Sequence, residues 1–296
     1  MDEWVMIGVP SSAGAHHAGQ ELAPAALRAA GLLERLTAAG VKVADAGDLP
    51  GAVFAPDRGA TNGRSLAAVA RVAAEVADAV ADVVASGRKP MLLGGDCTIT
   101  IGAVAGFVRV EPDAGLIYLD GDADLEVPGR GGSGIFDSMG ITHLLGGGAP
   151  ELAGLGGQTP LLTPGRLAIV GSDPRETSQA GRDYLRDLNV SFTEAPAFIV
   201  DPAGAARAAV AAVAGATRPV LLHFDIDVVD SADLPLGNFP HYGSGVRLDD
   251  ALAFLAAMHA ERSFSGLVLT EINPTHDPAG RELDRLVHGL AAALGG

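Results

Sequence analysis

Short, nearly unbroken apolar runs alternate along this chain with longer stretches in which apolar residues recur every three or four positions. The short runs are Trp4–Val9, Val41–Ala44, Pro90–Leu93, Leu116–Leu119, Leu167–Val170, Val190–Thr193, Pro219–Phe224 and Gly266–Thr270. They are rich in Val, Ile and Leu, as strands buried on both faces of a parallel sheet are. Between them the pattern predicts helices. Pro24 stands where a first-turn proline would, ahead of Ala25-Ala26-Leu27-Arg28. Residues 65 to 86 read as one long Ala/Val helix that Gly87 stops. Leu248-Asp249-Asp250 opens another, with acids in its first turn where the helix dipole favours them. The repeated strand-then-helix order predicts an α/β fold, one sheet layered by helices. No internal repeat, low-complexity tail or long linker divides the chain, so residues 1–296 read as a single domain.

Composition narrows the partners. With 36 acidic against 20 basic residues the formal charge is -16, which argues against nucleic acid or an anionic membrane as the main partner. A chain of 296 residues buries a large core without disulfide or metal. Its single cysteine, Cys97, excludes an internal disulfide and a thiol-only zinc site. The first residues carry no basic leader-like segment, and charge interrupts every apolar stretch well short of the roughly 20 residues of a membrane span. A cytoplasmic protein is the expectation.

The chemistry lies at the strand ends. Ligands of an open α/β sheet bind beyond the carboxyl ends of its strands. After Met91-Leu92-Leu93 comes Gly94-Gly95-Asp96-Cys97, and after Leu116–Leu119 comes Asp120-Gly121-Asp122-Ala123-Asp124. Asp225-Ile226-Asp227 and Asp230 follow Pro219–Phe224, and Glu271 follows Gly266–Thr270. A carboxylate at the end of a buried strand is costly unless paired or bound to metal. In extended geometry Asp120/Asp122/Asp124 and Asp225/Asp227 each share a face, so a cation, or two with bridging oxygens, is expected between them. An EF-hand does not fit: its sixth and twelfth positions would be Leu125 and Gly131, not glycine and glutamate. There is no phosphate-loop Gly-Lys-Ser/Thr and no Gly-x-Ser-x-Gly elbow. The glycine-rich stretches Gly129–Gly134 and Gly146-Gly147-Gly148 would be surface loops but for the first one's position after the acidic cluster.

In these motifs the chain resembles the arginase–agmatinase (ureohydrolase) family, whose pattern is a GGDH segment, a DAHxD segment, an SxDxDxxDPxxxP segment and a glutamate in an E-x-N-P context. Here they stand as Gly94–Cys97, Asp120–Asp124, His223–Asp230 with Pro235, and Glu271-Ile272-Asn273-Pro274. Gly19–Arg28 is similar to the family's first loop and helix. The resemblance covers essentially the whole chain. It implies a three-layer αβα sandwich with a mainly parallel eight-stranded sheet, a trimer or hexamer, and two divalent metal ions, Mn2+ foremost. One ion would be held by Cys97, Asp120, Asp124 and Asp225, the other by Asp120, Asp122, Asp225 and Asp227. It further implies attack of an activated hydroxide on a guanidinium carbon, with Asp227 passing the proton to the leaving amine and Glu271 orienting the guanidinium. Ser133 and Gly134 would contact the substrate's distal end.

Several positions depart from the family pattern. Cys97 and Asp122 stand where histidines are usual, so five aspartates and a thiol replace four aspartates and two neutral rings. That excess charge would weaken the metals as Lewis acids, and manganese prefers oxygen and nitrogen to thiolate. Asp137 stands where arginases carry a histidine proton shuttle. A cysteine at the first ligand position and a missing shuttle also occur in a branch acting on a hydroxyguanidine, although that branch keeps its second histidine. The family's Gly-x-Arg-Asp-x-Asp stretch is reduced to Gly171–Glu176, leaving Asp173 or Glu176 for an α-amino contact. His16 and His17 read first as surface loop, with a substrate role open to them because the carboxyl end of the first strand faces the site; His223 reads as facing a helix layer and His241 as a pocket rim. The expectation is a hydrolase of linear C–N bonds in a guanidino-type small molecule such as arginine, hydroxyarginine or agmatine. The alternatives are a formimino-type hydrolase of the same family and a degenerate homologue acting as a binding or assembly protein.

Overall fold

Among the described residues eight strands form, one at each predicted run, and all join one sheet. They are β1 (Trp4–Gly8), β2 (Val43–Asp48), β3 (Lys89–Leu93), β4 (Gly115–Leu119), β5 (Leu167–Ser172), β6 (Ser191–Glu194), β7 (Val220–Asp225) and β8 (Phe264–Thr270). The computed structural model describes residues 3–56, 63–128, 133–214 and 218–296. The sheet order is β2-β1-β3-β8-β7-β4-β5-β6, and every pair is parallel. Along β1, Trp4 and Met6 enter one core and Val5 and Ile7 the other. That two-sided burial is why the runs are continuous rather than alternating.

The helices are α1 (Ala23–Ala29), α2 (Leu32–Ala38), α3 (Leu66–Ala85), α4 (Ile99–Val110), α5 (Gly140–Leu144), α6 (Pro150–Ala153), α7 (Gln179–Asp187), α8 (Ala195–Phe198), α9 (Pro202–Ala214), α10 (Leu248–His259) and α11 (Arg281–Gly295). Apolar residues of α1, α2 and α8 to α11 pack on one face of the sheet, and those of α3 to α7 on the other. The arrangement is the three-layer αβα sandwich that the resemblance implies. Among the described residues no helix is long and apolar enough to cross a membrane.

One strand is displaced from its expected place. Val41 is buried but lies ahead of β2, which runs from Val43 into Ala44-Asp45-Ala46-Gly47-Asp48 with its last four residues exposed. An edge strand has one neighbour and one solvated side, so its pairing needs no apolar run. Asp45 and Asp48 instead receive the Arg28 guanidinium of α1 at 2.7 and 2.5 Å.

The topology decides where the acids meet. The four central strands are β3, β8, β7 and β4, in that order. Their last rungs are level: Leu93 pairs with Leu269, Leu269 with Phe224, and Phe224 with Leu119. Each chain then leaves the same edge within a residue or a few, at Asp96 and Cys97, Glu271, Asp225 and Asp120.

Helix α4 begins two residues beyond Cys97, so its seating sets the depth of that side chain. Gly102 and Gly106 lie four apart on the face that meets α3, where a methyl group would run into the carbonyl oxygens of Ala73 and Ala77. Alanine is the better helix former by about 1 kcal/mol, but a backbone collision cannot be relieved by a rotamer. Gly106→Ala is therefore expected to destabilise the protein, by about 1–3 kcal/mol. Urea unfolding checks the sign, and a stabilised variant would contradict this packing.

Candidate metal centre

Donor atoms of Cys97, Asp120, His223 and Asp225 lie within 4.8 Å of one another, and all four residues are buried. The Cys97 thiol donates to Asp225 Oδ2 at 2.6 Å, and Thr270 Oγ1 donates to the same oxygen at 3.0 Å. A second convergence joins Cys97, Asp137 and Glu271. Asp137 accepts the Cys97 backbone N–H at 2.7 Å, which fixes the turn carrying the thiol. Glu271 takes the Gln20 amide on both carboxylate oxygens, at 2.9 and 3.2 Å. Its backbone has φ 63, and Asp124 has φ 43. Left-handed conformations at non-glycine residues carry strain of the order of 1 kcal/mol or more and cluster at functional sites.

Burial dominates the electrostatics. Taking these groups out of water pushes Asp120, Asp124, Asp137, Asp225 and Glu271 well above the usual carboxyl range, and their mutual repulsion adds to it. Burial and the nearby Asp225 charge likewise push the Cys97 thiol up. Burial pulls His223 down to about 3, so the ring is neutral. Asp227 is the exception. Burial would raise it, but the proximity and charge of His241 outweigh that, and its carboxyl lies below the usual value. His241 Nε2 is 3.5 Å from Asp227 Oδ2 and its Nδ1 3.5 Å from Glu176 Oε1. Burial would lower His241, yet Asp227, Glu176 and Asp122 push it up to about 9.

The centre lies at the floor of a cavity of about 850 Å³. Cys97, Asp120, Asp122, Asp124, Asp137, Asp227 and Glu271 all line it. Asp122 is only half buried, and its Oδ1 accepts the Ala123 N–H at 2.6 Å. Asp124 is tied to the Tyr118 phenol at 2.5 Å and stands outside the four-donor cluster. Of the second expected ligand set, only Asp120 and Asp225 lie in that cluster. Glu176 faces the cavity, whereas Asp173 is buried against Arg175 and Ser244. Ser133 donates its hydroxyl and N–H to Glu126, at 2.7 and 3.0 Å, and Gly134 accepts the Arg64 N–H at 2.9 Å. Glu126 rather than Ser133 or Gly134 lines the wall. Positions 129–132 of the glycine-rich loop lie outside the described residues.

Some site residues escape sequence reasoning. His16 is half-buried and takes the site-facing alternative: it lines the cavity beside Phe239, ring centroids 5.4 Å apart. The loop after β1 leaves the same carboxyl edge as the acids, which is what brings His16 to the cavity. His223 does face the α3–α4 layer, with its Nδ1 2.7 Å from Thr100 Oγ1, but its other nitrogen reaches the carboxylates. Its spacing of two from Asp225 is the signal that would have placed it there. Gln20 and Glu126 carry no sequence signal of their own.

Comparison with known proteins agrees with this geometry. The family model described as Arginase family matches residues 2–295. The chain is 30% identical over 297 residues to Arginase-1 of Homo sapiens, a match covering 97% of this chain and 90% of the human protein. Its structure is similar to native arginase from Bacillus caldovelox, with a TM-score of 0.88 at 26% identity, covering 100% of this chain and 99% of that one. A Trypanosoma cruzi formiminoglutamase with Mn2+ shares the fold, with a TM-score of 0.77 at 19% identity over 99% of this chain and 93% of that one.

The repelling carboxylates fit a cation, and they make the metal-free chain pH-sensitive. A group whose folded pKa is raised contributes stability fully below its unfolded value, about 4 for these acids. That contribution is lost as pH climbs through the folded value. With chelator present, stability should fall between pH 5 and pH 8. Asp124→Asn keeps an acceptor for Tyr118 and removes one buried charge, so it should raise metal-free stability at pH 8 by about 1–3 kcal/mol and flatten the slope. Chemical denaturation at the two pH values measures both; an equal or steeper slope would rule this account out.

Proposed function

The chain belongs to the arginase family, and on that premise we propose that it is a metal-dependent hydrolase cleaving a linear C–N bond of a guanidino-type substrate. The observation that carries the reading is the set of strand-end donors converging at the floor of a carboxylate-lined cavity, with Glu271 beside them. Cys97, Asp120, Asp124 and Asp225 would hold one divalent ion, and Asp120, Asp122, Asp225 and Asp227 a second. When bound, such ions lower the pKa of a water molecule to near neutrality and polarise a trigonal carbon toward attack.

The remaining work falls to the side chains. Glu271 binds the planar guanidinium, whose paired N–H groups match a carboxylate fork. Gln20 holds both oxygens of Glu271, and the backbone of Glu271 is fixed by its N–H to Gly95 O at 3.0 Å. A cationic substrate head also supplies the positive charge that keeps Glu271 ionised in a buried place. His241 keeps Asp227 ionised, so Asp227 Oδ2 can take the proton and deliver it to the leaving nitrogen. Asp137 acts below the reacting centre, where it orients Cys97 and adjoins Glu271. Glu126, steadied by Ser133, and Glu176 form the outer wall and contact the substrate's far end.

The test is turnover of a panel of guanidino, hydroxyguanidino and formimino compounds by metal-loaded protein, with urea, hydroxyurea or formamide as readout. Urea or hydroxyurea is the expected product. Asp227→Asn should lower kcat by about 10²–10⁴-fold, and Glu271→Gln should raise KM and lower kcat together. No turnover of any compound at full metal occupancy would sink the hydrolase reading and leave a binding or assembly homologue. Formamide as the sole product would move the substrate to the formimino class.

A further inference from the structure

The two nitrogen donors of the family pattern are absent, since Cys97 and Asp122 occupy their positions. A nitrogen reaches the cluster from elsewhere. His223 lies two residues before Asp225 on β7, so both side chains project from the same face of the strand. Its Nε2 is 3.3 Å from Asp120 Oδ2, 3.9 Å from Asp225 Oδ2 and 3.9 Å from Cys97 Sγ. For a tetrahedral ion with bonds of 2.0–2.3 Å the ligand-to-ligand edges are about 3.3–3.8 Å. The three edges from Nε2 fall close to that range, and the shorter 2.6 Å contact of Cys97 Sγ with Asp225 Oδ2 is a hydrogen bond that would open as the thiol proton gives way to an ion.

The ring is also held in the orientation a ligand needs. Tyr118 stacks on it with centroids 3.8 Å apart and planes 7° from parallel. Thr100 Oγ1 lies 2.7 Å from Nδ1. A hydroxyl can accept the Nδ1 proton, which leaves the Nε2 lone pair directed at the carboxylates. An outer partner that fixes tautomer and ring plane in this way is the usual companion of a metal-binding histidine. Tyr118 has a second effect, since its phenol ties Asp124 outside the four donors that converge.

We propose that His223 is a metal ligand, and that Cys97, Asp120, His223 and Asp225 form a four-donor site selective for an ion of the zinc or cobalt(II) class over manganese. Thiolate and imidazole together favour such borderline ions, whereas manganese suits carboxylate and water. The inference deepens the hydrolase reading by putting His223 in place of Asp124 at the first of its two ion positions and naming the ion there, and it rests on that reading only in requiring an ion there.

The experiment uses the full chain, stripped with chelator under reducing conditions and reloaded with Zn2+, Co2+ or Mn2+ alone. Zinc-edge X-ray absorption of the wild-type protein should show one sulfur and one imidazole. The cobalt form should show a thiolate charge-transfer band and the intense visible bands of four-coordination. His223→Gln should lose the imidazole signature and weaken Zn2+ binding by about 100-fold or more, beyond the 10–100-fold typical of losing an outer partner, with Mn2+ binding weakened less. Thr100→Val should keep the imidazole and lose about 10–100-fold in affinity. His241→Asn should leave the sulfur and imidazole signatures in place. A wild-type zinc spectrum without imidazole overturns the proposal whatever the variants do, as does tighter binding of Mn2+ than of Zn2+. These readouts need no substrate. Zinc held by sulfur and imidazole without turnover would defeat the hydrolase reading alone, and turnover with an all-oxygen manganese site would defeat this inference alone.

Discussion

Four neighbouring strands end at the same height, and that levelness is the constraint from which the rest follows. It brings Cys97, Asp120, Asp225 and Glu271 to one buried place. Buried like charges cannot stay unpaired, and the surrounding residues answer them one by one. The Cys97 thiol and Thr270 hydroxyl donate to Asp225, the Tyr118 phenol to Asp124, and Gln20 to Glu271. His241 sets a positive charge against Asp227. Each partner meets the local demand without removing the excess of acid, which is why the centre as a whole calls for a cation.

The same constraint explains what could be read in advance. Strands buried on both faces announce themselves as continuous apolar runs, so seven of the eight fell close to their expected places and the acids beyond them were conspicuous. β2 slipped because an edge strand is not obliged to be apolar; the run at Val41 belongs to the core beneath it. The sequence around His223 points only to a ring facing its helix layer. His223 shares the period-two face of Asp225, but in a strand buried on both sides hydropathy does not distinguish a core ring from a site ring. Ser133 and Gly134 were expected as the distal wall, but a hydroxyl two bonds from the backbone is satisfied by Glu126, whose longer side chain reaches the cavity instead. His16 lies on a loop whose path depends on tertiary packing.

Strain and rigidity are distributed around the centre in a consistent way. Glu271 and Asp124 sit in left-handed backbone that costs free energy, while the turn that carries the Cys97 thiol is fixed through its backbone N–H by Asp137, from a separate segment of the chain. Helix α4 presses on α3 through two glycines and supplies Thr100 to His223. The layer that stabilises the fold therefore also orients the site, and a change in α4 packing is felt at both Cys97 and His223.

The outer strands have a consequence of another kind. An open parallel sheet leaves two rows of unpaired amides and carbonyls, which invite a stray strand from an unfolded neighbour. Here β2 ends in exposed Asp45, Gly47 and Asp48, two of them clamped by Arg28. β6 is the short polar segment Ser191-Phe192-Thr193-Glu194, its glutamate paired with Arg182 at 2.7 Å. An intruding strand would have to strip these charged partners before it could pair. The acidic composition thus protects the sheet's flanks against aggregation as well as furnishing its centre.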